Sequence, residues 1–369
     1  MQEATATVGN CEPSIPHLTL KELAVPGFLT LLALLFVPPV QAETTSSVAP
    51  EQFRAWFDAA RQGRLEIPDE VSRNACSYRY VFIGGLFNEQ MPGYFLQNVK
   101  ELRARGVPRT SIHLVKPDSQ QTVDGNAASV RTELKAIAAQ GPERLVLIGH
   151  SRGACDALAF ALQNPEFVKE HIRALFLIQG PFGGTPVADY VAGEGRPMDG
   201  RMPTGYRVMG QAIGRLESGL LGDGKHEAIA SLNRRDSESF WNEMLRTHRA
   251  AVPSVAAKTF YVTSRTSPSH HPLFQRVTGW YLGTYYGPND GLVALEDQSL
   301  PGLGTVLAVL DVGHTDLTRR FPAARPKHRL RNALVDAIIM AVGTQNAQLA
   351  KRSGVTTADA SEHAQGSSR

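Results

Sequence analysis

Hydrophobic residues along this chain fall into short unbroken runs, separated by segments in which they recur at helical spacing. The alternation begins at Tyr78 to Gly85 (YRYVFIGG), which reads as a strand, and passes to a helix over Tyr94 to Arg105 with Phe95, Val99 and Leu102 on one face. Ile112 to Val115 is a short strand, and Ala127 to Ala139 a helix with Val130, Leu134 and Ile137 in line. Leu145 to Ile148 is a strand, an Ala-rich helix follows it, and Ala174 to Gln179 (ALFLIQ) is the next strand. After Gly180 the rhythm stops. Pro181 to about Ala256 is rich in glycine and charge, with a mixed amphipathic piece at Tyr206 to Leu221. Strands resume at Lys258 to Val262 (KTFYV) and Thr305 to Asp311 (TVLAVLD), and Arg329 to Val342 is a helix that closes the sheet. Strands alternating with helices, each strand apolar throughout, predict an α/β fold: a mostly parallel sheet of about six strands with helices on both faces.

Outside this body, Phe28 to Val37 is a ten-residue apolar run followed by Pro38-Pro39 and Val40-Gln41-Ala42. Ten residues are too few to span a bilayer as a helix. The run reads as the core of a cleaved export signal ending at Ala42, which predicts a secreted or periplasmic protein. The preceding stretch is long and carries Lys21 against Glu3, Glu12 and Glu22, so an uncleaved membrane anchor stands as the alternative. The organisation expected is a signal over 1–42, a linker and packing helix around Phe53, Trp56 and Phe57 over 43–77, the main domain over 78–343, and a disordered tail over 344–369.

Composition narrows the class. A formal charge of +3 over 369 residues gives no basis for a nucleic-acid partner. Three cysteines make no disulfide framework, and Cys76 and Cys155 fall at opposite ends of the predicted sheet, so free thiols are expected.

The chemistry centres on Gly149-His150-Ser151-Arg152-Gly153, placed between a buried strand and a helix. This Gly-x-Ser-x-Gly in this context predicts a sharp strained turn with the serine at its tip and glycines where backbone must approach backbone. A serine hydroxyl is a weak nucleophile at neutral pH and needs a base and an orienting acid. Downstream, Asp290 lies in Gly287-Pro288-Asn289-Asp290-Gly291-Leu292-Val293, and His314 follows the strand ending at Asp311. Glu296, Asp297 and Asp311 are substitutes for the acid; His270, His271 and His328 are rivals for the base that fit the chain order less well. Two backbone amides are needed for an oxyanion: that of Arg152, after the nucleophile, and that of Leu86, in the turn Gly84-Gly85-Leu86-Phe87.

These motifs, in this order, with Gly180-Pro181-Phe182-Gly183-Gly184-Thr185-Pro186 between them, resemble bacterial triacylglycerol lipases and related esterases of the α/β-hydrolase superfamily over roughly residues 78–342. The resemblance implies an α/β-hydrolase fold, a Ser151–His314–Asp290 triad, an ester or lipid substrate with transient contact at a lipid interface, and no required cofactor. It also implies a cap or lid insertion over 187–256, for which Val208, Ile213, Leu216, Leu220 and Leu221 supply an apolar underside. Trp280, Tyr281, Tyr285 and Tyr286 either line the acyl pocket or pack beneath a long loop. Some of these lipases hold a structural calcium through an aspartate two residues after the histidine, the position of Asp316; a solvated loop carboxylate is the other reading. The chain departs from the family in two places. Gly84 stands where the family has a histidine, so the hydrogen bonds of that histidine must come from elsewhere. Arg152 is unusual after the nucleophile, and its side chain is expected to tune the mouth of the site. Acyl transfer or thioester cleavage by the same triad, and a catalytically inactive binding protein, remain as alternative functions.

Overall fold

Strand β3, Leu145–His150, lies in the middle of a six-stranded sheet ordered β2-β1-β3-β4-β5-β6, and every neighbouring pair in it is parallel. The other strands are β1 (Arg79–Ile83), β2 (Ile112–Val115), β4 (Ile172–Ile178), β5 (Thr259–Arg265) and β6 (Thr305–Asp311). This is a computed structural model. It describes residues 48–89, 92–196, 229, 231–270, 273–319 and 328–352, with only the backbone of 273, 274 and 345–352. The stretch 1–42 expected to be an export signal, the amphipathic piece 206–221 and His271 lie outside the described residues.

The central strands are mostly apolar because both faces are covered. Alternation still operates within them, since successive side chains point to opposite faces. Val81, Ile83, Leu145, Leu147, Leu175 and Leu177 face one way, onto helices α4 (Val123–Ala138) and α5 (Arg152–Gln163). Tyr80, Phe82, Val146, Ile148, Phe176 and Ile178 face the other. There they meet Phe53 and Phe57 of α1 (Pro50–Arg61) and Leu334 and Ile338 of the C-terminal helix. Helices α2 (Asp69–Cys76) and α3 (Leu96–Ala104) pack against that same terminal helix.

Helix α6 (Pro165–His171) leads into β4, and the region after β4 carries α7 (Pro186–Val191), α8 (Arg234–Thr247) and α9 (Val252–Ala256). Asn233 caps α8 by accepting the Asp236 amide at 2.7 Å, and Trp241 and Met244 bury its apolar side.

Two expectations need correction. The segment between β5 and Asp290 is not one long loop: it contains α10, Leu273–Tyr285. The terminal helix α11, His328–Arg352, continues past Gly343, where the sequence turns small and polar and a disordered tail was expected. Cys76 and Cys155 are free thiols. No helix among the described residues is long and apolar enough to cross a membrane.

Candidate active site

In an all-parallel sheet the loops leaving the carboxyl ends of the strands share one edge, and chemical groups collect there. Five loops do so here: Gly84–Phe87 after β1, Ser151 after β3, Gln179 after β4, the Asp290 loop beyond β5, and His314 after β6.

Ser151 connects β3 to α5 with φ 55° and ψ −134°, a backbone region that a side-chain-bearing residue occupies only under constraint. The flanking glycines are required by contact. A Cβ on Gly149 would lie 2.7 Å from the Ala154 Cα, and one on Gly153 would overlap the carbonyl oxygens of Ile83 and Gly84. The Ser151 hydroxyl donates to His314 Nε2 at 2.9 Å, and His314 Nδ1 donates to Asp290 Oδ2 at 2.8 Å. Asp290 is fully buried, and its other oxygen, Oδ1, accepts the amides of Leu292 (3.0 Å) and Val293 (2.9 Å). Those two bonds fix the carboxylate plane and leave Oδ2 for the imidazole. The His314 amide also donates to the Asp290 carbonyl at 2.9 Å, so the two loops are joined at backbone as well as side chain.

The rival groups sit elsewhere. Asp311 accepts the Thr266 hydroxyl, exposed Glu296 and buried Asp297 pair with Arg234, and His270 is exposed beside Thr266. His328, at the start of α11, is exposed. Asp316 accepts the Gly313 amide at 2.8 Å and so shapes the turn that presents His314. Among the described residues no group of three or more His, Cys, Asp or Glu side chains is arranged to hold a metal ion.

Gly85 lies against the nucleophile: a Cβ there would stand 2.8 Å from the Ser151 Cβ. The turn Gly84–Phe87 therefore borders the Ser151 side chain. Among the described residues neither the Leu86 nor the Arg152 amide has an acceptor. Asn88 braces this turn from within. Its Nδ2 donates to the carbonyls of Gly85 (2.9 Å) and Pro117 (2.8 Å), and its Cβ occupies the space a Gly84 side chain would need. Ser119, held by Glu89 at 2.6 Å, accepts the Phe87 amide at 2.7 Å.

The Arg152 side chain does not reach the mouth of the site. It is completely buried, and its guanidinium donates to the carbonyls of Asp118 and Gln121 in the loop that carries Ser119. A planar fork of donors suits a loop with several carbonyls facing inward. Asp156, one turn along α5, stands 3.8 Å from Arg152 Nε, and burial pushes its carboxyl up to about 8 despite that neighbour. The contact is too long to be a strong pair, and Arg152 serves the loop more than the carboxylate.

Behind the triad runs a second chain of bonds that the motif does not announce. The Gly85 amide donates to the Tyr94 hydroxyl (3.3 Å), Tyr94 donates to His150 Nδ1 (2.5 Å), and His150 Nε2 donates to the His314 carbonyl (2.7 Å). A carbonyl only accepts, so Nε2 carries the hydrogen and Nδ1 receives Tyr94. Burial, and then the proximity of His314, push His150 down to about 3 and keep it neutral. That matters because the two imidazole rings are 5.0 Å apart. A second cation at that distance would oppose charge on His314 by about 3 kcal/mol at an effective dielectric of about 20. Gln179, itself at φ 51°, meets His150 Nε2 at 3.2 Å and donates to Ser264 and to the Gly313 carbonyl.

A cavity of about 180 Å3 opens onto Ser151 and His314. Val187, Ala188, Val191, Ile229, Leu232 and Leu292 give it apolar walls, and Gln275 of α10 is among its lining residues. The aromatic residues before Asp290 lie apart from it. Trp280, Tyr281, Tyr285 and Tyr286 cluster with Tyr190 and Val277, which is the packing alternative.

No protein-family model matches the sequence, and no curated protein matches it. The fold does have relatives of known structure. The chain is similar to a metagenomic carboxyl esterase, with a TM-score of 0.53 and 21% identity over 73% of this chain and 76% of that one. It is also similar to a Bacillus licheniformis lipase in its mature form, with a TM-score of 0.49 and 16% identity over 76% of this chain and 95% of that one. The all-parallel sheet flanked by helices is the α/β-hydrolase fold.

Proposed function

We propose that this protein is a serine hydrolase of carboxylic esters that works through an acyl-enzyme. The observation that carries the reading is the continuous relay from Ser151 through His314 to Asp290 at a strained elbow. In this mechanism the Ser151 oxygen attacks the ester carbonyl carbon while its proton passes to His314 Nε2. Asp290 holds the imidazole in the tautomer with hydrogen on Nδ1 and stabilises the cation that forms. The amides of Leu86 and Arg152 donate to the oxyanion of the tetrahedral intermediate, a contribution of about 3 kcal/mol per donor in comparable sites. The C–O bond to the alcohol then breaks, and His314 returns its proton to the leaving oxygen. A water molecule, deprotonated by the same histidine, cleaves the acyl-enzyme and restores Ser151. The apolar cavity beside Ser151 favours esters with a hydrocarbon acyl chain, and the fold it shares with a carboxyl esterase agrees with this chemistry.

The test is hydrolysis of p-nitrophenyl esters of graded acyl length. Wild-type protein should turn them over, and Ser151→Ala should reduce kcat by at least about 10⁴-fold with the fold intact. Wild-type protein inactive on every ester contradicts the function. Turnover unaffected by Ser151→Ala contradicts the site.

A further inference from the structure

Gln275 is completely buried, lines the cavity beside Ser151, and among the described residues has no hydrogen-bond partner for either its Oε1 or its Nε2. An amide sealed from solvent ordinarily satisfies both atoms within the protein, because each unmet group costs the fold stability. Here the neighbours in the wall are hydrocarbon: Val187, Ala188, Val191, Ile229 and Leu232. Thr185, also at the cavity, has already given its hydroxyl proton to the Leu292 carbonyl. The helix bearing Gln275 is held in register with the catalytic acid, since the Thr278 hydroxyl one turn on donates to the Gly291 carbonyl. Its other side packs Val277 and Tyr281 into the aromatic cluster. The amide therefore sits at a fixed place relative to the triad, in the wall of a cavity whose occupant can satisfy it.

We propose that Gln275 is a specificity-determining residue that binds a hydroxyl group on the substrate. The chemistry selects this group. A primary amide presents one acceptor and a donor pair, and a hydroxyl both donates and accepts, so one neutral group answers both atoms. A carboxylate would meet Nε2 but set an anion beside Oε1 in an apolar wall, and a plain alkyl chain would leave both atoms unmet. The natural substrate is then a hydroxyl-bearing ester; that substrate class rests on the hydrolase reading above, whereas hydroxyl recognition rests on Gln275 alone.

Two sources of hydroxyl are separated by paired substrates. For the acyl part, p-nitrophenyl octanoate is compared with p-nitrophenyl octanoates hydroxylated at successive carbons. For the alcohol part, propyl octanoate is compared with monooctanoylglycerol. Wild-type protein should favour the hydroxylated member of one pair by about tenfold or more in kcat/KM, because a site built to bond a hydroxyl rejects the analogue lacking it. Gln275→Met and Gln275→Leu should abolish that preference while the plain ester is hydrolysed within about threefold of wild type. A readout without turnover runs alongside: calorimetric binding of 1,2-octanediol and 1-octanol to wild-type and Gln275→Met protein. Loss of the diol advantage in the variant supports the assignment. No hydroxyl preference in wild type in any arm, or a preference that survives both substitutions, overturns it and leaves a bound water as the partner of the amide. Diol discrimination through Gln275 in a protein that hydrolyses no ester would refute the hydrolase reading and the substrate class while upholding the contact.

Discussion

The residues under backbone strain are the residues of the site. Ser151, Phe87, Phe95 and Gln179 are the described non-glycine residues with positive φ, and each touches the triad or its support. Such conformations cost about 1–3 kcal/mol each and persist where surrounding bonds over-determine them. Tyr94 is one such support, because it joins the oxyanion turn at Gly85 to His150 and through it to His314. Tyr94→Phe removes both bonds and keeps the ring against Phe95. We expect kcat on p-nitrophenyl esters to fall about tenfold with KM little changed, since the loss falls on transition-state alignment. Steady-state kinetics checks this, and an unchanged kcat would show the relay to be passive. Ser151, Asp290 and His314 stood out in the sequence because nucleophilic catalysis would demand those residue types in that order, and the structure brings the three into one hydrogen-bonded line. Tyr94, Asn88, Gln179 and Gln275 were not, because each acts on a partner brought close only by folding.

At the scale of elements, α5 is the piece on which the site depends. From Arg152 to Leu162 it is wholly buried between the sheet and α4, and Ser151 stands immediately before its first turn. Arg152 ties that turn to the 118–121 loop, which in turn holds Phe87 through Ser119. Arg152→Leu keeps the backbone amide and the bulk but leaves the Asp118 and Gln121 carbonyls unmet. A loss of about 2–3 kcal/mol in unfolding free energy is expected, with Arg152→Lys only partly restoring it. Urea denaturation measures the change; wild-type stability in Arg152→Leu would remove the bracing role. From sequence the arginine read as a residue at the mouth, since nothing local reveals that carbonyls some thirty residues earlier close over it. Helix α10 was missed for a related reason. Its aromatic face packs on Tyr190 in a separate cluster, so the apolar spacing carries no signature of the main core. The four inner strands were read well because burial on both faces writes itself into the sequence as largely apolar runs.

For the whole molecule, the parallel sheet turns a sequence order into a place. β1, β3, β5 and β6 deliver the Gly84–Phe87 turn, Ser151, Asp290 and His314 to one edge, although these residues span much of the chain. The cavity at that edge is lined largely by hydrocarbon and by Gln275, whose amide has no partner among the described residues, which fits an ester of mixed polarity. The account stands on Ser151 being an activated nucleophile. Reaction of the folded protein with a fluorophosphonate, followed by intact mass and peptide mapping, tests that directly. A single phosphonyl adduct on Ser151, absent in Ser151→Ala and formed far more slowly in Asp290→Asn, is the predicted result. A folded protein that takes no adduct, or takes it on another residue, would contradict the account.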